Sequence, residues 1–279
     1  MKHLSFLCLS VFLLSGCTHY YYAPNTLHAP VLRKQHDARI SVHAGGGDEY
    51  NADEFQAVYS PIQYGAVMFN RMSAKGGSED SSHGYGNLTE GALGGYVPSG
   101  NRGNYSLFGG YGKGRVRNWY FNDDGTTQLT YESLLRFQRW FIQPSFAFQS
   151  KWFRFGLGYR FVWLKYLDGE VDYRIQQTEL DAIQLIEKRS PIFLPEFGFH
   201  VGLHLGPTVF SFQSIISNRQ SNNADMHLNK SNTGVSLTLN LNELWEKKKR
   251  TWNFCPTPVQ TDRLRVLMGN NFSLGTRHQ

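Results

Sequence analysis

FRFGLGYRFVW, residues 153 to 163, sets a large apolar side chain at every second position: Phe153, Phe155, Leu157, Tyr159, Phe161 and Trp163. Arg154, Gly156, Gly158 and Arg160 stand between them. Successive residues of a β-strand point to opposite faces, so the stretch reads as a strand with one apolar face and one face of glycine and arginine. The pattern returns downstream, where Phe193, Pro195, Phe197, Phe199, Val201, Leu203 and Leu205 alternate with Glu196, Gly198, His200, Gly202 and His204. Residues 142 to 148 and 235 to 241 repeat it again. Weaker versions at 38 to 45, 53 to 60, 64 to 72, 88 to 97, 104 to 117 and 207 to 216 bring the expected strands to ten.

The breaks between these strands alternate in length. Those at 60 to 63, 98 to 103, 150 to 152 and 206 to 207 are short, and those at 45 to 52, 73 to 87, 118 to 130, 167 to 190 and 217 to 232 are longer. In an antiparallel meander alternate connections share an end, which gathers tight turns at one rim and long polar loops at the other. An open sheet would leave two unpaired edges, so the expected fold is an all-β, antiparallel up-and-down (meander) β-barrel of about ten strands, outer-membrane type. With an even strand number, both ends of the barrel fall at the tight-turn rim. A membrane barrel turns its apolar face outward, whereas a soluble lipocalin-like barrel turns it inward around a ligand. The membrane arrangement fits better, because the other face holds Arg154, Arg160, Glu196, His200 and His204 among glycines, not the lysines and carboxylates of a solvated surface. Trp119, Trp140, Trp152, Trp163 and Tyr166 also fall near strand ends, where an aromatic girdle belongs. A tethered soluble barrel binding an apolar ligand is the alternative.

The amino terminus runs from Lys2 and His3 through an apolar stretch, residues 4 to 14, to Ser15 and Gly16. That is the order of a secretory signal, and it is too short to span a bilayer as a helix. Leu14-Ser15-Gly16-Cys17 resembles the lipobox of bacterial lipoproteins. The resemblance implies that Cys17 becomes the first residue after cleavage and carries diacylglycerol and palmitate-like chains, each buried methylene contributing about 0.8 kcal/mol to anchoring. Residues 1 to 17 then form the signal peptide, 18 to 37 an extended linker, 38 to 241 the barrel, and 242 to 279 a basic and aromatic extension. Pro24 and Pro30 forbid a regular helix in the linker. Fully extended, it reaches about 70 Å, so the tether is expected to place few limits on the barrel.

Of the three cysteines, Cys8 leaves with the signal and Cys17 carries lipid, which leaves Cys255 alone and no intramolecular disulfide to be expected. Formal net charge is +6, or +5 once Lys2 is removed, a mild excess that does not point to nucleic acid. No spacing identifies a metal site or a cofactor.

The lipobox, followed by YAPNTLHAPVLRKQHDARISVHAGGG (22 to 47) and EFQAVYSPIQYGAVMFNRM (54 to 72), resembles the outer-membrane β-barrel-like lipoproteins of Bacteroidota. It covers most of residues 12 to 241, and its sharp motif is the lipobox. The resemblance implies a Gram-negative cell envelope. Surface-exposed lipoproteins of that group carry an acidic stretch after the cysteine, where this chain has Thr18, His19 and Tyr20. The expectation is therefore a lipid in the inner leaflet, with termini periplasmic and long loops extracellular.

The expected role is structural, accessory or partner-binding. The partners are the outer membrane, through the diacylglyceryl-cysteine and the barrel surface, and an envelope protein that meets the loops. Ten strands enclose a lumen that side chains fill, with Arg154 and Arg160 pairing Glu196, so general diffusion is not expected. Enzymatic activity is not expected either. Glu196, His200 and His204 share one strand face, and residues four apart lie about 13 Å from one another. A lipid-modifying barrel enzyme is the remaining alternative. Past residue 242, Trp245, Lys247, Lys248, Lys249, Arg250 and Trp252 read as a solvated surface or a contact with anionic headgroups at the tight-turn rim. Beyond Pro256 and Pro258 the chain forms either two further strands or an extended tail.

Overall fold

Alternation carries straight into architecture. The structure, a computed structural model, describes residues 20 to 47, 50 to 77, 82 to 121, 129 to 171, 177 to 218 and 228 to 245. Within them lie β1 (Ala38–Gly46), β2 (Asn51–Ile62), β3 (Gly65–Gly77), β4 (His83–Ser99), β5 (Gly103–Phe121), β6 (Leu129–Gln149) and β7 (Phe153–Val171). A helix, α1 (Gln177–Arg189), precedes β8 (Ile192–Leu205), β9 (Thr208–Ser217) and β10 (Ser231–Asn240). Each strand pairs antiparallel with its sequence neighbour, and β10 returns to β1, from Arg39 opposite Asn240 to Gly46 opposite Thr233. The result is a closed ten-stranded meander barrel. The chain divides into Met1–Glu243, which contains the barrel, and Leu244–Gln279. All of the second unit beyond Trp245, including Lys247, Lys248, Lys249, Arg250 and Trp252, lies outside the described residues.

The apolar face points out. Leu93 is 70% exposed, Leu203 58% and Phe210 51%, while Arg139, Arg160 and Glu196 on the other face are 0% exposed. This is the outer-membrane arrangement, and it reverses the soluble alternative, whose aromatic face would line a pocket. Tight turns need special backbone: Gly206 takes φ 65 ahead of Pro207 in the two-residue link between β8 and β9, a conformation open to glycine at little cost. Inside, glycine makes room for rings. A Cβ on Gly110 would stand 2.2 Å from the Phe141 ring, and one on Gly114 2.3 Å from that of Phe137.

β6 and β7 outrun their sequence reading most. They continue toward the long loops because their backbone ladder persists where the outward side chains turn from apolar to polar or charged, as at Gln138, Arg136 and Lys165. Trp140 and Trp163 accordingly sit in mid-strand, paired with each other, and face outward. Tyr166 departs from the expected girdle: three residues past the outward Trp163 it falls on the inward parity of β7 and is buried in the lumen, and the extra residue of the β6/β7 register shift, Leu167, lies beyond it. The 167 to 190 connection holds α1, whose Ile183 and Ile186, three apart on one helix face, join the buried cluster.

The linker is where the structure departs most from a free tether. Residues 20 to 32 are all buried and thread the lumen from the long-loop rim to the tight-turn rim. At the long-loop end the Tyr20 hydroxyl donates to the Ala74 carbonyl at 2.9 Å, and Asn118 donates to the Tyr20 carbonyl at 3.1 Å. Further down, Gln143 donates to the His28 carbonyl at 2.8 Å and Arg154 to that of Ala29 at 3.2 Å. At the tight-turn end Arg33 reaches the Gln149 carbonyl at 3.4 Å and the His36 amide bonds Ser60 at 2.7 Å, just before β1 begins. Apart from one parallel bridge, in which the Tyr22 carbonyl accepts the Asn229 amide at 2.9 Å, this extended segment must satisfy its amides and carbonyls without a sheet partner, and inward side chains of the barrel supply many of the bonds.

Candidate functional site

The centre of the lumen is a charged latch between the barrel wall and this strap. Inward parity brings Glu90 from β4, Arg139 from β6, Arg160 from β7 and Glu196 from β8 to one level. Arg139 Nε meets Glu90 Oε1 at 2.5 Å, and Arg160 Nε faces Glu196 Oε2 at 2.9 Å, an ion pair between direct cross-strand neighbours. The strap completes the set. Tyr22 donates to Glu196 Oε1 at 2.7 Å and accepts from Arg139. Asn25 donates to Glu90 Oε2 at 2.8 Å, and its side-chain oxygen accepts from Arg160 at 2.8 Å and also from Arg139. Its backbone carbonyl accepts from Arg160 at 2.6 Å. Two cations and two anions cancel, and all four carboxylate oxygens meet a cation or a donor. Such closure is what a buried charge cluster needs, because desolvating each ion costs several kcal/mol.

A fifth charge is held differently. Glu54 is buried and accepts from the Thr26 amide at 2.9 Å, the Thr26 hydroxyl at 2.8 Å and the Asn232 amide group at 2.7 Å. Neutral donors, two of them from the strap, surround it. Strap and wall are thus joined at Tyr22, Asn25 and Thr26 by bonds that vanish if the strap leaves.

All five lumen candidates read from sequence face inward and are buried. Arg160 and Glu196 come together in the latch. Arg154 does not join them; it lies nearer the tight turns on the Ala29 carbonyl. His200 packs over Gly156, where a Cβ would stand 2.2 Å from its ring. His204 reaches Gln149 at 3.2 Å and Glu243 at 3.3 Å. Among the described residues no group of three or more His, Cys, Asp or Glu is placed to hold a metal. Cys17 lies outside the described residues, and Trp245 is exposed. Glu90, Arg139, Glu54, Tyr22 and Asn25 escaped the sequence reading. Parity was a usable signal for Arg139, since Trp140, Ile142 and Pro144 outward force Arg139, Phe141 and Gln143 inward.

No protein-family model matches the chain, and no curated protein matches it. Solved structures do show a likeness in fold. The outer membrane protease OmpT from Escherichia coli is 9% identical, with a TM-score of 0.41 over 74% of this chain and 94% of that one. The KdgM porin is 8% identical, TM-score 0.35, over 72% and 98%. LpxR from Salmonella typhimurium is 9% identical, TM-score 0.34, over 73% and 99%.

These findings correct the expectation that the barrel has no enzymatic activity. The solved structures that share the likeness include an outer membrane protease. The spacing argument behind that expectation also fails, because it followed one strand. Glu196 meets groups from β6, β7 and the strap, none of which its own strand reveals.

Proposed function

We propose that this chain is a lipid-anchored barrel of a Gram-negative outer membrane, sealed by its own amino-terminal strap, with a structural, accessory or partner-binding role in the envelope. The observation that carries the reading is the strap: its occupation of the lumen, locked by the central latch, leaves the long-loop rim and the outer wall as the surfaces that meet other molecules. The outward apolar run of β7 from Phe153 to Trp163, at about 3.3 Å per residue and a tilt of about 40°, gives a band about 25 Å tall, the height of an outer-membrane hydrocarbon layer. The lipid belongs on Cys17, as the lipobox resemblance to the Bacteroidota barrel-like lipoproteins implies.

The strap supports a different leaflet from the one expected at first. Tyr20 stands at the long-loop rim, and the three residues back to Cys17 reach at most about 11 Å, far short of a hydrocarbon core of about 30 Å. A lipid there enters the membrane from the long-loop side. The test is alkaline carbonate washing of membranes from cells that make Cys17→Ser, with conductance of the purified full chain in planar bilayers. Retention in the pellet and no steady porin-like conductance are expected. Release of Cys17→Ser into the supernatant would refute the integral barrel, and steady conductance of the full chain would refute the seal.

A further inference from the structure

On the outer wall Phe69, Gly91, Tyr111, Trp140 and Trp163 stand side by side across β3 to β7. Two residues nearer the long loops the same ladders carry Arg71, Thr89, Lys113, Gln138 and Lys165. The next two steps add Arg115 with Arg136 and then Lys75 with Arg117. Arg117 is matched by Glu132 at 2.6 Å and Arg136 by Glu170 at 2.8 Å. Among the described residues Arg71, Lys75, Lys113, Arg115 and Lys165 have no acidic partner at ion-pair distance. The collar is one-sided, since the outward strand positions beside the tight turns, such as Val97, Tyr105, Phe153 and Leu205, are uncharged. It begins where the aromatic row ends, on the long-loop side of that row, and long basic side chains reach a phosphate layer from an apolar wall.

A second feature adjoins the collar. An open groove of about 480 Å³ on the adjoining wall, across β9, β10, β1 and β2, is walled by Val42, Phe55, Phe210 and Leu237, with Arg71 of β3 and Asp53 of β2 also in its lining. Arg71 lies directly across from Phe55. Apolar walls running up to Arg71, which among the described residues forms no ion pair at contact distance even with Asp53 in the same lining, have the chemistry that receives an acyl chain under an anionic headgroup.

We propose that the outer wall of β3 to β7, with this groove, is a docking surface for anionic phospholipid of the leaflet on the long-loop side. The headgroup phosphates lie on Arg71, Lys113 and Lys165, and an acyl chain fills the groove beside Arg71. The inference rests on the membrane-spanning reading. It places the headgroup contact at the rim opposite the one to which the sequence assigned the basic cluster of residues 247 to 250.

The test is native mass spectrometry of the detergent-solubilised full chain titrated with phosphatidylglycerol or phosphatidylcholine, for the wild type and for Arg71→Gln/Lys113→Gln/Lys165→Gln. The wild type is expected to prefer phosphatidylglycerol, and the triple variant to lose about tenfold or more of that preference, since each neutralised cation costs about fivefold. Equal preference in the two proteins, or none in the wild type, overturns the docking surface. Carbonate resistance and heat-dependent gel migration, followed in both proteins, report on the barrel itself. A triple variant that stays integral but loses the lipid preference supports the proposal, whereas a wild type extracted by carbonate refutes the membrane reading beneath it. Should the triple variant fail to fold, Lys113→Gln alone is expected to lose about fivefold, and an unchanged preference there refutes the site.

Discussion

Asn25 touches three charged groups at once, and no other strap residue binds the latch at so many atoms: its amide donates to Glu90 while its two oxygens receive Arg160 and Arg139. Removing that side chain strands polar atoms where water does not reach. Asn25→Ala is expected to lower stability by about 1–3 kcal/mol for each group left without a partner, read as a fall in the urea midpoint of the heat-modifiable band. The latch itself obeys a sharper rule, because breaking a buried pair costs more than the pair contributes. Glu196→Gln alone leaves Arg160 with only the more distant Glu90, at 3.8 Å, and is expected to cost about 3–5 kcal/mol, whereas Arg160→Met with Glu196→Leu should cost much less than the two single changes added together. Additive losses in that cycle would mean that the two groups do not act as a pair. Charge at this level does not discriminate between sealing and catalysis; it does show that the carboxylates are already engaged while the strap is in place.

At the scale of elements, the outer wall is a depth gauge. Leu157 lies in the middle of the outward apolar run of β7, while Gln138 sits in the basic row beyond the tryptophans. Leu157→Arg is expected to destabilise the inserted barrel by about 2–4 kcal/mol and Gln138→Arg by about 0–1 kcal/mol, measured as urea midpoints in lipid vesicles. Equal costs would place the membrane elsewhere on the wall. The strap makes its own prediction through thiol labelling in a Cys255→Ser background. Leu27→Cys, whose Cβ lies 2.7 Å from the place a Cβ on Gly198 would take, should resist a water-soluble maleimide until the barrel unfolds. Arg33→Cys, exposed at the tight-turn rim, should label at once. Fast labelling of both would mean that the strap lies outside the lumen. The strands were legible because a period of two survives wherever one face meets an apolar medium. The far ends of β6 and β7 were not, since a ladder that continues past the lipid band no longer alternates apolar with polar. The strap was illegible for a different reason. Its fit depends on partners at Glu54, Glu90, Arg139, Arg160 and Asn232, far away in sequence, and nothing in its own aperiodic stretch of prolines and tyrosines announces them.

At the scale of the whole molecule, the unit Met1–Glu243 contains a barrel with two distinct rims. β1 begins and β10 ends at the tight-turn rim, as an even strand number requires, yet the segment before β1 runs back up the lumen and reaches the long-loop rim at Tyr20. Tyr20 therefore stands at the rim from which the long connections leave, and the threaded strap is expected to give a site inserted just before it the sidedness of those loops. An epitope inserted in the 122 to 128 loop and a protease site inserted between Thr18 and Tyr20 put this to the test on intact cells. Either both are reached by added antibody and protease, or neither is until the outer membrane is opened. A control epitope at Gly100, in the tight turn between β4 and β5, must show the opposite behaviour. If the loop epitope is stained on intact cells while the protease site is cut only after the membrane is opened, the strap does not thread the barrel, and a lipid on Cys17 returns to the periplasmic leaflet. If loop and protease site go together, anchor, basic collar and loops share one face, and the tight-turn rim is left as the face turned away from it.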